Sequence, residues 1–143
     1  CKKNTLAGVN LGHANADVIK NNILIGNTGH GISTDTDGSG QTYCRVHKIV
    51  NNVIKNNGYN GVFMDKGCYV DKALTGNTIS DNLTNGISLY SDAYIKNVKN
   101  NTIENNAGSA VRACGKNSTV YLKGKNTIKG NLTETEGGRI KSN

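Results

Sequence analysis

Acids are scarce in this chain, ten Asp and Glu against seventeen Lys and Arg, so the places where they gather stand out. Asp35 and Asp37 lie in the polar run from Thr34 to Thr42, and Asp65 is followed at once by Lys66. Asp35 and Asp65 each stand four residues beyond a glycine, Gly31 and Gly61, and Tyr90 stands four beyond Gly86. If those glycines mark equivalent points of a repeat, two carboxylates and a phenol lie one above another with Lys66 beside them. His30, just before Gly31, then lies over Asn60 and Asn85. Carboxylates one strand spacing apart, with a lysine near, could hold a cation and a uronate or abstract a proton next to a carboxylate. Their mutual repulsion would spread their pKa values in the sense that acid/base work needs. The candidates for catalysis are therefore Asp35, Asp65, Lys66 and His30, and those for sugar contact Tyr90, Asp37 and Asn60. Calcium is the one cofactor the pattern suggests, through Asp35, Asp37 and Asp65. The bland reading of the same residues is a solvated surface ion pair. His13, His30 and His47 fall at different stations and no cysteine pair has zinc spacing, so a Cys/His metal centre finds no support.

The elements that would position these groups announce themselves as a repeat. The phrase NNVIKNNGYNGVFM at Asn51 returns, whole or in part, at Asn21, Gly76, Asn100 and Lys125. Counted from the second residue of each phrase (Asn22, Asn52, Asn77, Asn101, Asn126), the intervals are 30, 25, 24 and 25 residues. A fixed period of this length is the mark of a solenoid, whose units bury their apolar faces only against their neighbours. Two residues beyond each anchor stands an aliphatic residue (Leu24, Ile54, Ile79, Ile103, Ile128), and five beyond it an asparagine (Asn27, Asn57, Asn82, Asn106, Asn131). Further stations hold Ile32, Val62, Ile87 and Val111, and, three before the anchor, Ile19, Ile49, Leu74 and Val98.

These apolar runs are three to five residues long, rich in β-branched residues and interrupted by Asn and Gly, which suits short strands and not helices. Three strands per turn, stacked at about 4.8 Å, would line the interior with aliphatic ladders. The repeated asparagine is expected to serve twice, taking the left-handed conformation at a corner and laddering its amide onto the asparagine above.

The pattern N-x-I-x-x-N-x-x-x-G-I resembles the repeat of right-handed parallel β-helix proteins of the pectate-lyase-like superfamily, over roughly Gly8 to Asn131. The resemblance implies an all-β right-handed parallel β-helix of about five turns. It also implies a range of functions: polysaccharide lyases, glycoside hydrolases, epimerases, tailspikes and non-catalytic surface proteins. Gly29-His30-Gly31 and Arg139-Ile140-Lys141 are similar to short motifs of polygalacturonases, but the aspartate motifs that should precede the first of them are missing. No catalytic motif is complete.

The whole chain, 1–143, reads as one domain: a half-turn over 1–16, repeat turns over 17–131 and an irregular tail over 132–143. A formal charge of +7 points to polyanionic partners, acidic polysaccharide first and nucleic acid last, since no aromatic RNA-binding motif is present. The same lysines also solvate the outer face and guard strand edges. No stretch has the length of a transmembrane segment. A first residue that is Cys1 and not methionine reads as a processed or excised chain, with acylated lipoproteins as one precedent. Cys44 and Cys68 stand eight and nine residues before successive anchors and should lie within disulfide reach on adjacent turns. Such a bridge suits an extracellular or cell-surface setting. Four N-glycosylation triplets begin at Asn82, Asn100, Asn117 and Asn131, as an asparagine-rich chain produces by chance. Two functions fit. One is a secreted or surface module that binds, or binds and processes, acidic polysaccharide near the 34–42 loop. The other is a structural solenoid that associates head to tail into a filament, with Cys114 approaching Cys1 of the next molecule.

Overall fold

A computed structural model describes residues 1–34 and 43–142, and every strand pairing within them is parallel. Following the chain from each anchor, three sheets are laid down in rotation. Sheet I stacks β2 (Ala16–Lys20), β5 (Arg45–Val50), β8 (Tyr69–Thr75), β11 (Tyr94–Lys99), β14 (Thr119–Leu122) and β17 (Arg139–Ser142). Sheet II stacks β3 (Ile23–Ile25), β6 (Val53–Lys55), β9 (Thr78–Ser80), β12 (Thr102–Glu104) and β15 (Thr127–Ile128). Sheet III stacks β1 (Val9–Asn10), β4 (Ile32–Ser33), β7 (Val62–Met64), β10 (Ile87–Leu89), β13 (Val111–Cys114) and β16 (Leu132–Thr135).

The interior follows from alternation along each strand. Leu24, Ile54, Ile79 and Ile103 line sheet II, Ile32, Val62, Ile87 and Val111 line sheet III, and Ile49, Leu74 and Val98 line sheet I, all fully buried. Space between coils is tight at Gly61, where a Cβ would meet Ile79 Cγ2 at 2.5 Å and the Gly86 carbonyl oxygen at 2.7 Å, so only glycine fits. Variation in turn length is absorbed on the outer side of sheet I. Between the inward Val70 and Leu74 of β8 stand three residues, but two separate Val46 from Ile49 and only Tyr121 separates Val120 from Leu122.

The corners divide between two residues the work expected of one asparagine. In each Asn-Asn step the first residue takes the left-handed conformation (Asn21 φ 56, Asn51 φ 53, Asn100 φ 56), and Gly76 replaces it in the intervening coil. The second residue makes the ladder. Asn22, Asn52, Asn77, Asn101 and Asn126 are joined by Nδ2 donating to the Oδ1 of the next coil at 2.9–3.1 Å, and the lower amides also donate to backbone carbonyls beneath. A parallel ladder joins Asn4, Asn27, Asn57, Asn82 and Asn106 at 2.8–2.9 Å. Its membership corrects the sequence reading at both ends. Asn4 belongs to it, whereas Asn131 does not. The last coil is shorter, and the pairing of Leu132 with Val111 sets Asn131 level with Ala110 instead of Asn106.

The tail is also more regular than expected. Residues 132–142 form β16 and β17, in register with β13 and β14, although their side chains are mostly polar. Backbone hydrogen bonding to the coil before them supplies the order that apolar patterning there lacks. This coil covers Cys114, which is 1% exposed with its Sγ facing Glu136 Oε2 at 3.5 Å. The proposed bond to Cys1 of another molecule is therefore overturned, because the buried thiol has no open approach.

Candidate functional site

The predicted constellation around the 34–42 loop is only partly visible, since Asp35 and Asp37 lie outside the described residues. The alignment of turns itself holds: Tyr90 donates its amide to the Met64 carbonyl, which sets it level with Asp65 on the neighbouring coil. Asp65 is half-buried, with its amide donating to Thr34 Oγ1 at 2.8 Å, and Lys66 is exposed at the same corner. His30 stands over Asn60 as expected, and its ring is engaged by neighbouring side chains. Its Nδ1 accepts the Asn60 amide at 3.1 Å, and its ring stacks on Phe63 with centroids 4.7 Å apart. Asn60 is 8% exposed, and its Oδ1 accepts from the Thr84 hydroxyl and from both nitrogens of Asn85. A sugar contact at Asn60 is thus withdrawn, because the side chain is consumed by a short ladder. The Arg139-Ile140-Lys141 string lies on β17 of sheet I, on a different face from His30. Asn82, the first of the glycosylation triplets, is buried within its ladder.

The charge of the protein lies elsewhere, on the outer face of sheet I. Every coil contributes at least one exposed cation there: Lys20 from β2, Arg45 and Lys48 from β5, Lys72 from β8, Lys96 and Lys99 from β11, Lys123 just after β14, and Arg139 and Lys141 from β17. Within the strands of the sheet only Asp17 and Asp71 oppose these nine, and Glu134 of β16 reaches Arg139 at 4.0 Å. Among the described residues, cations therefore far outnumber acids on this side of the solenoid.

Aromatic groups are set into this face. Tyr69 and Tyr94 pair across β8 and β11 and stack with centroids 4.8 Å apart and planes 9° apart. Lys96 lies over the Tyr94 ring at 5.4 Å and Lys141 over Tyr121 at 5.5 Å, within cation–π range. Burial, the neighbouring Tyr69 and the Asp71 carboxylate push the Tyr94 phenol above its ordinary value, so it stays a hydrogen-bond donor. Between the rows sits His47, whose Nδ1 is 2.7 Å from Asp71 Oδ1 and whose Nε2 is 3.8 Å from Asp17 Oδ1. Burial pulls the Asp71 carboxyl upward. The His47 hydrogen bond and the charges of His47 and Arg45 outweigh this and leave it below the usual carboxylate range.

Three concavities open on this face. One of about 590 Å³ is lined by Lys20, His47, Lys48 and Lys72, a second by Lys96, Tyr121 and Lys123, and a third by Tyr43, Arg45 and Tyr69. Sequence reasoning missed this surface because it aligned the apolar stations and passed over the residues between them. The signal was present: Lys48, Lys72 and Lys96 recur at 24 residues, and Arg45, Tyr69, Tyr94 and Thr119 at 24 or 25.

The disulfide expected from spacing is formed, joining Cys44 of the segment before β5 to Cys68 before β8 with a Cα separation of 4.7 Å. Among the described residues, no buried side-chain nitrogen or oxygen lacks a partner, no three His, Cys, Asp or Glu gather as a metal site would need, and no helix is long and apolar enough to cross a membrane.

Three parallel sheets wound in rotation, with asparagine ladders at two corners, define a parallel β-solenoid. The family model for the right handed beta helix region matches residues 1–96, and the chain belongs to that family. No curated protein and no solved structure matches the chain.

Proposed function

We propose that this protein is an extracellular or cell-surface β-helix module that binds acidic polysaccharide, and that it does so on the outer face of sheet I. One observation carries the reading: nine cations against two acids stand within or just after the strands of that sheet, where stacked tyrosines interrupt the cations. Lysines that only solvated the surface would be spread over all three sheets. Sheet II has a single lysine within its strands, Lys55, and sheet III a single arginine, Arg112. Exposed cations hold carboxylates or sulfates, and phenolic hydroxyls hydrogen-bond sugar oxygens. The buried Cys44–Cys68 bridge supports an oxidising compartment.

The test is binding of the purified protein to a polyuronate and to a neutral glucan of similar length across a salt series. Retention on the polyuronate that falls steeply with salt is expected. The double charge reversal Lys72→Glu with Lys96→Glu should weaken it by at least tenfold. Equal affinity for the neutral polymer, or no effect of the reversal, would overturn the assignment. The same incubation followed in the ultraviolet for unsaturated products tests whether the His47–Asp71 pair turns substrate over. That pair is the best-formed base and orienting carboxylate on the face.

A further inference from the structure

Resting on that reading, we infer that the polymer lies parallel to the solenoid axis with one uronate sugar per coil, so that sheet I selects chains carrying a carboxylate on every sugar. The cations are arranged by coil. Five of the six strands of sheet I supply at least one within the strand, and Lys123 stands one residue beyond β14. The cations do not share one register position, since Lys48 pairs with Ala73 and Lys20 with Val50, but the coils that carry them repeat at the strand spacing of about 4.8 Å. The extended rise of a 1→4-linked hexuronate chain is close to that distance, so a carboxylate on every sugar meets a cation on every coil.

The tyrosines obey the same spacing. Tyr69 and Tyr94 occupy equivalent positions on adjacent coils and their ring centroids are 4.8 Å apart, so consecutive sugars meet equivalent phenols. The row continues in register from Arg45 below them to Thr119 and Arg139 above. The rows are parallel to the axis because the register is parallel. A chain laid across the strands would instead meet the differing residues of one coil: on β8, Tyr69, Asp71, Lys72 and Ala73. No repeating sugar matches such a sequence. Polymers charged only on alternate sugars, such as repeating uronate and N-acetylhexosamine disaccharides, would leave every second coil's cation unpaired.

The experiment is calorimetric titration of the intact protein at low salt with 1→4-linked oligouronates of two to eight sugars, and with an alternating polymer. Affinity should climb by about 1.4- to 5-fold per added sugar, the range for one exposed ion pair. It should level off at about six sugars, one for each strand of sheet I. Removing the cations of one end coil with Arg139→Ser and Lys141→Ser should shorten the levelling-off length by about one sugar, and Lys20→Ser should do the same at the opposite end. All three side chains are exposed, and far-ultraviolet dichroism confirms the fold of each variant. The alternating polymer should bind more weakly than the polyuronate at equal charge. Levelling off at two or three sugars, or a length unchanged by both end variants, overturns the axial arrangement while polyuronate binding itself stands. Failure of every oligomer and of the polymer to bind removes the underlying reading instead.

Discussion

Replacing Asn52 by alanine removes the central contacts of one rung, and the structure gives the cost. The Asn52 side chain is 1% exposed. Its Nδ2 donates to the Ile19 carbonyl at 2.9 Å, the Val50 carbonyl at 3.1 Å and Asn77 Oδ1 at 2.9 Å, and its Oδ1 accepts from Asn22 N and Nδ2 at 3.0 and 3.1 Å. Five bonds at a net of about 1 kcal/mol each set an upper range near 5 kcal/mol. Some is recovered, because the Val50 carbonyl keeps the Asn21 amide and Asn77 Oδ1 keeps the Asn52 amide. Against that, the Asn22 amide loses its acceptor, so we expect a net loss of about 3 kcal/mol. Asn22→Ala is the control of identical chemistry. It removes two donor bonds at a partly exposed rung, at about 1 kcal/mol. A second control is Asn51→Gly, which alters the residue holding φ 53 and should cost a few tenths, since Gly76 serves at the same corner one coil on. Urea unfolding, followed by far-ultraviolet dichroism and tyrosine fluorescence to check that the transitions coincide, should show the midpoint for Asn52→Ala falling about three times as far as for Asn22→Ala. Equal shifts for the two, or a cost at Asn51 as large as at Asn52, would refute the assignment of ladder and corner to separate residues.

Two further outcomes follow from other parts of the structure. The Cys44–Cys68 bridge closes a sequence separation of 24, so Cys44→Ser with Cys68→Ser should lower stability by about 3 kcal/mol in the chain-entropy model, read as a urea midpoint shift that disappears when wild type is measured fully reduced. Because Asp71 is held below the ordinary aspartate value by His47 and Arg45 despite its burial, its contribution is complete above that ordinary value and is lost as pH falls through the lowered one. The stability gap between wild type and Asp71→Asn should thus close on acidification below about 4; a gap that widened in acid would reverse the sign of the argument.

The chain's own sequence determined the architecture because the repeat imposes it coil by coil. Aliphatic stations at Leu24, Ile54, Ile79 and Ile103 and asparagines at fixed offsets require stacking, and once coils stack, equivalent residues must meet. The Cys44–Cys68 bridge was legible for the same reason, as was the alignment of Asp65 with Tyr90. Three features were decided only in three dimensions. Register at the ends depends on how many residues each coil uses, so hydrogen bonding, not spacing, put Asn4 into the ladder and Asn131 outside it. The last coil, with little apolar patterning of its own, takes its strands from the backbone of the coil before it, and in doing so buries Cys114. The concentration of charge on sheet I depends on which way each strand residue points. A count along the chain gives only +7, and it is the parallel winding that brings outward Lys48, Lys72 and Lys96 onto one face.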